Sequence, residues 1–124
     1  MTTRDDVLRY VYENYGTKSE KPWANDFYSE VLRQKSNNKW YGVIMRVQKN
    51  KVGLSGEEFV DILNVKCEPE MVATLISQKG LAPAYHMNKT HWITIILDGT
   101  VPAEEIKRMI AESYDLVVKH ACKK

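Results

Sequence analysis

Apolar side chains recur along this chain first with a helical period, then with strand-like alternation, and at the end with a helical period again. Val7, Leu8, Val11 and Tyr15 fall on one face at helical spacing and predict a helix over 3–15. Thr3 followed by Asp6 has the form of a capping box, with carboxylates in the first turn where the helix dipole favours them, and Gly16 is placed to end the helix. Residues 17–25 are polar, contain Pro22 and predict a loop from which Trp23 tucks back against the body. Strands are expected over 27–34 and 39–48, joined by a turn at Asn37-Asn38, with Tyr41, Val43, Met45 and Val47 of the second on one face. Gly53 and Ser55-Gly56 then punctuate the chain before a third strand over 58–67, and the three strands suit an antiparallel meander.

Pro69 suits the first turn of a short helix ending near Lys79-Gly80, with Met71, Val72, Leu75 and Ile76 as its apolar stripe. A loop through Pro83 leads to a β-branched strand over 91–97 that stops at an Asp98-Gly99 turn. Pro102 opens a last helix with Glu104 and Glu105 in its first turn and Ile106, Met109, Ile110, Ser113 and Val117 along one face. The expected order is helix, three strands, helix, strand, helix. It predicts a single α+β domain over 1–124, with 119–124 as a flexible tail. Its economical arrangement is a twisted antiparallel sheet packed against helices on one face, with the other face at least partly open.

Composition adds little to this picture, and charge placement adds more. Apolar residues at 44% and charged residues at 27% are ordinary for a globular domain. Uninterrupted apolar stretches such as Ile95-Ile96-Leu97 are far too short for a membrane-spanning helix, so no membrane partner is expected. The first residues lack the basic and apolar segments of a secretory signal, which makes the cytoplasm the expected compartment and Cys67 and Cys122 free thiols. The net charge of +2 predicts no polyanion partner by itself, but its distribution is uneven. Arg33, Lys35, Lys39, Arg46, Lys49 and Lys51 lie in a stretch, 31–56, that has no acidic residue, and 71–97 is a second acid-free stretch.

Three segments together resemble the MmcQ/YjbR family: Lys66-Cys67-Glu68-Pro69-Glu70, the run from Pro83 through Tyr85, His86, Asn88 and Lys89 to Trp92, and Ser113-Tyr114-Asp115-Leu116-Val117. Members of that family resemble frataxin in overall fold, so the resemblance implies a CyaY-like α+β domain. Its members have been proposed to bind DNA through a double-winged arrangement, which makes DNA the implied partner.

Arg46, Lys49 and Lys51 lie on a predicted strand and the turn after it, with Lys39, Trp40 and Tyr41 at the strand's start. Cations interleaved with aromatics suit phosphate contact and base stacking, whereas lysines on a strand edge also serve to block unwanted pairing. Lys66 and Lys89 extend the candidate nucleic-acid-binding set. Lys66 beside Glu68 and Glu70 reads either as a surface pair with a neighbouring carboxylate or as an anion contact at a helix start. The alternative is a small-ligand or protein-interaction site built on His86, Lys89, His91, Trp92 and Tyr114, against which stands a purely structural loop with Trp92 in the core.

Cys67, His86 and His91 offer three zinc-type ligands without any paired spacing, and a thiol with an imidazole is not a catalytic motif on residue type alone. Asp5, Asp6 and Glu13 are too dispersed for an iron-binding ridge. No metal, cofactor or catalytic residue is therefore expected, and the chain reads as a binding module rather than an enzyme.

Overall fold

Capping decides where the first helix begins. The Thr3 hydroxyl accepts from the Asp6 backbone N–H at 3.3 Å, and the Asp6 carboxylate accepts from the Thr3 backbone N–H at 3.0 Å, so α1 (Arg4–Tyr15) starts as its capping box predicts. Gly16, at φ +69 in the left-handed region, closes it. The computed structural model describes residues 1–26 and 28–122, and the side chains of these up to residue 118. Phe27 of the expected first strand, the Cys122 thiol, and the side chains and last two residues of the expected 119–124 tail lie outside the described residues.

Strands β1 (Glu30–Arg33), β2 (Trp40–Gln48), β3 (Phe59–Lys66), β4 (Leu81–Pro83) and β5 (Trp92–Ile96) form one antiparallel sheet in the order β1-β2-β3-β5-β4. The first three make the expected meander. β1 is shorter than 27–34 because the Asp26 carboxylate accepts from the backbone N–H groups of Tyr28 and Ser29, holding that segment in a turn. A short helix does follow β3, as a 3-10 turn at Pro69–Met71 and then α2 (Val72–Ile76), but it stops at Ser77, short of the expected Lys79-Gly80.

β4 corrects the expected loop through Pro83. It is a three-residue edge strand, and Pro83 can sit there because its missing N–H faces no further strand. Gly80, at φ +88, makes the turn into it; a Cβ there would lie 2.5 Å from a Val101 methyl. α3 (Ala103–Cys122) then runs back along the sheet with Ile106, Met109, Ile110, Ser113 and Val117 all buried, the face that spacing predicts.

All three helices lie on one face of the sheet, where Leu32, Ile44, Leu63, Val65, Ile93 and Ile95 meet Val7 and Val11 of α1, Leu75 of α2 and the apolar stripe of α3. The opposite face is not open, contrary to expectation. Val43, Ile62, Asn64 and Thr94 there are all at most 1% exposed. Val52 and Leu54 from the β2–β3 connection and Tyr85 from the β4–β5 connection cover its Val47, Val60, Ile62 and Ile96. Alternation in a strand cannot announce a cover made by connections elsewhere in the chain, here a 3-10 turn over Lys49–Val52 and the loop carrying Tyr85.

β2 also departs from strict alternation at its start. Leu32 pairs with Gly42 and Arg33 with Trp40, which leaves Tyr41 as an extra residue, a bulge. Tyr41 therefore joins the helix-covered core and not the Val43 face predicted for it. Its carbonyl accepts from the Ser113 hydroxyl at 2.6 Å, and that hydroxyl accepts from the Lys66 backbone N–H at 2.9 Å, so α3 supplies a bridge where β2 and β3 part.

Candidate functional site

The predicted cationic residues divide by what surrounds them. The Arg46 guanidinium lies 3.4 Å from the Asp61 carboxylate, directly opposite on β3, and 4.6 Å over the Tyr28 ring. Lys49 reaches Glu58 at 3.8 Å, and Arg33 reaches Glu20 at 3.1 Å. The 31–56 segment, acid-free in sequence, is thus partly neutralised in space by acids from outside it. Antiparallel pairing brings Asp61 and Glu58 back against it.

Lys39, Lys51, Lys66 and Lys89 form no ion pair among the described residues. Of the two readings of Lys66, the surface pair with Glu68 or Glu70 is not formed. Instead burial, followed by the nearby charge of Lys39, holds the Lys66 ammonium below the usual lysine range. The helix start beside it is only the three-residue turn Pro69–Met71, too short to present an aligned dipole to an anion.

Lys51 and Lys89 come from different hairpin connections and line one groove on the loop-covered side of the sheet, a hollow of about 470 Å³. Its floor is Val52, Ala82, Pro83 and Ala84, and its wall includes Tyr85 and His86. The rings of Tyr85 and His86 stand edge to face with centroids 4.1 Å apart. His86 holds φ at +58, a left-handed conformation that imidazole-bearing residues adopt more readily than most but that still needs support from its surroundings.

The loop carrying His86 and Lys89 is tied down at both ends. Asn64 Nδ2 donates to the Tyr85 carbonyl at 3.1 Å, the Tyr85 N–H donates to the Thr94 hydroxyl at 2.9 Å, and that hydroxyl donates to Asn64 Oδ1 at 2.5 Å. Further along, Asn88 Oδ1 accepts from the backbone N–H groups of Thr90 and His91 at 2.8 and 3.2 Å. These polar residues were legible only as loop and strand letters. A polar Asn64 between Leu63 and Val65 in a buried strand was the signal for such a network, and Tyr85 was the groove residue that sequence reasoning missed.

The alternative ligand set does not converge. His86 and Lys89 share the groove, but Trp92 is buried in β5 and His91 is half-buried with its carbonyl accepting from the Cys67 N–H at 2.8 Å. Tyr114 lies on the other side of the sheet, stacked on Tyr15 at 4.0 Å and edge-on to Tyr41 at 4.8 Å. Trp23 does tuck back, edge-on to Trp40 at 5.8 Å, while staying 42% exposed.

Cys67 faces a separate cleft of about 320 Å³ with Glu68, Glu112 and Asp115, on the helix side. Burial first, and then Glu112 and Glu68, push its thiol up from 9.0 to about 11, which leaves almost no thiolate at neutral pH. Among the described residues no group of three or more His, Cys, Asp and Glu is placed to hold a metal. Among the described residues no helix is long and apolar enough to cross a membrane.

The sequence model of the YjbR family matches residues 13–116. Two curated relatives are the Bacillus subtilis protein YyaQ, 45% identical over 94% of this chain and 98% of its own length, and Escherichia coli YjbR, 30% identical over 68% of this chain and 74% of its own; both are described as uncharacterised. A crystal structure of a Pseudomonas syringae protein superposes with a TM-score of 0.91 at 38% identity, covering 93% of this chain and 98% of that one. A Deinococcus radiodurans protein superposes with a TM-score of 0.73 at 30% identity, over 96% and 80% of the two chains. The match spans the meander, the groove-lining connections and most of α3, and on that extent the chain belongs to the YjbR family.

Proposed function

We propose that this chain is a DNA-binding module rather than an enzyme, contacting phosphates without regard to sequence through the groove between its two hairpin connections. Lys51 and Lys89 provide the central contacts, and Lys66 with Lys39 extends them. Arg46 and Lys49 take a lesser part than their sequence position suggests, since Asp61 and Glu58 already hold them. The β2–β3 and β4–β5 connections act as the two wings of this reading.

The observation that carries it is that Lys51 and Lys89 line one hollow whose lining holds no acidic residue. Unpaired ammonium groups release counterions to a polyanion without first breaking a protein ion pair. Lys66 and Lys39 support the same reading, because a phosphate near two like charges relieves their repulsion.

Anisotropy of a labelled DNA at low and near-physiological salt tests this. The expected result is salt-sensitive binding that weakens across all sequences in Lys51→Ala/Lys89→Ala protein, with the log–log salt slope reduced by about 0.9 per lost contact. Absence of binding even at low salt would remove the reading. A second reading, a small anionic ligand held by His86 and Lys89, draws on the hollow's size, which falls within the roughly 300–1,000 Å³ of small-molecule sites.

A further inference from the structure

The groove is longer than the hollow between Lys51 and Lys89. A second hollow of about 440 Å³ adjoins it and shares Val52, Gly53, Ala82 and Pro83, so one trough runs beside the edge strand β4. Its floor is apolar along its length, with Leu81 and Ile96 continuing the Val52–Ala82 surface. Lys79 stands at the second hollow together with Asp98, its one acidic residue. Pro83 denies the edge a backbone donor, so a peptide strand is a poor occupant.

Charge complementarity points to a polyanion, and the apolar floor points to something more than a phosphate backbone. A stacked duplex offers phosphates to the lysines but keeps its bases inside, leaving the exposed Pro83 and half-buried Tyr85 uncovered. A single strand presents both phosphates and an unstacked base. Tyr85 is half-buried, held by the Val52–Ile62–Ile96 cluster behind it and by the His86 ring beside it, so it meets a ligand as a pre-positioned ring.

We propose that this trough takes an unstacked nucleotide of a single strand, its base on Pro83 and Tyr85 and its flanking phosphates between Lys51 and Lys89, and that the protein accordingly prefers single-stranded to double-stranded DNA. This rests on the nucleic-acid reading above and specifies the substrate class for the same site. Tyr85 and His86 are then contact residues for the base, and the lysines are contact residues for the backbone.

Anisotropy would be measured over the same series of salt concentrations, from low to near-physiological, with a labelled single strand, its duplex, and the same strand carrying abasic sugars. The intact single strand is expected to bind about ten-fold or more tighter than either of the others. Tyr85→Leu should bring the single strand towards the duplex affinity with the salt slope unchanged. His86→Gly, which relieves the left-handed backbone and so keeps the fold, should weaken the single strand in the same direction. Equal or tighter duplex binding, or an abasic strand as tight as the intact one, would overturn the single-strand proposal while leaving phosphate binding in place. No binding of any of the three at low salt would overturn the nucleic-acid reading and this proposal with it.

Discussion

The two faces of the sheet are closed by different means. On one, three helices pack regular apolar stripes against Leu32, Ile44, Leu63 and Ile95, and the charges at its end are tied together: Arg4 bonds Glu30 and Asp61 at 3.0 Å each, and Asp61 also holds Arg46. On the other, two short connections, one holding a 3-10 turn, cover a smaller cluster, a buried Asn64–Thr94 pair fixes one of them, and Lys51 and Lys89 stand without ion pairs among the described residues. Helices bring cooperative burial and satisfy their own backbones, which suits stability. Loops held by a few specific hydrogen bonds leave side chains facing outward from a rigid base, which suits binding.

Neighbouring residues on β3 test that contrast most strongly. Leu63→Ala on the helix side should lose about 2–5 kcal/mol, because packed helices cannot collapse into the cavity. Ile62→Ala, pointing the other way, should lose less, since loops relax into the space. Urea midpoints for the two would break the comparison if Ile62→Ala proved equally costly.

Single polar changes come next. Ser113→Ala removes the bridge between the Tyr41 carbonyl and the Lys66 N–H and should cost about 1–3 kcal/mol in urea unfolding. Asn64→Ala should cost about as much, but with a different signature: amide exchange should rise in 84–91 while α1 and α3 stay protected. Faster exchange spread through the helices would show that the two faces do not open separately.

Alkaline pH should act on the helix side. Burial pushes Cys67 from 9.0 to about 11 and Tyr41 from 10.0 to about 12, so both hold their protons to higher pH folded than unfolded. Their contribution to stability is complete below about pH 9 and is lost as pH rises through 11 and 12. Thermal midpoints from pH 8 to 12 should fall, and less steeply over the lower part of that range in Cys67→Ala. The smallest stability effect is expected for Lys51→Ala/Lys89→Ala, within about 0.5 kcal/mol by urea unfolding despite its loss of binding. A large destabilisation would mean that these lysines support the loops and are not held available for a ligand.

Periodicity made α1, the β1–β2–β3 meander, β5 and the buried stripe of α3 readable, because each has enough residues for a helical or alternating pattern to rise above accident. β4 was not readable, since three residues ending in proline carry no period. The bulge at Tyr41 was hidden for a related reason: an extra residue leaves the letters alternating while the side chain changes sides. Of the candidate site, Lys51, Lys89 and His86 were named from composition. Tyr85 and the apolar floor were not, because they come from three separate segments.

The amino-acid order by itself determined the single α+β domain, both caps of α1 and the apolar stripes of α1 and α3, all of which depend on residues a few positions apart. It also showed which stretches contain no acid. Only the tertiary structure decided which cations remain available, because Asp61 and Glu58 arrive by strand pairing from outside the basic segment. It alone decided that Lys51 and Lys89, far apart along the chain, face one groove, since closing two hairpins over the same sheet face is a long-range event that no local spacing encodes.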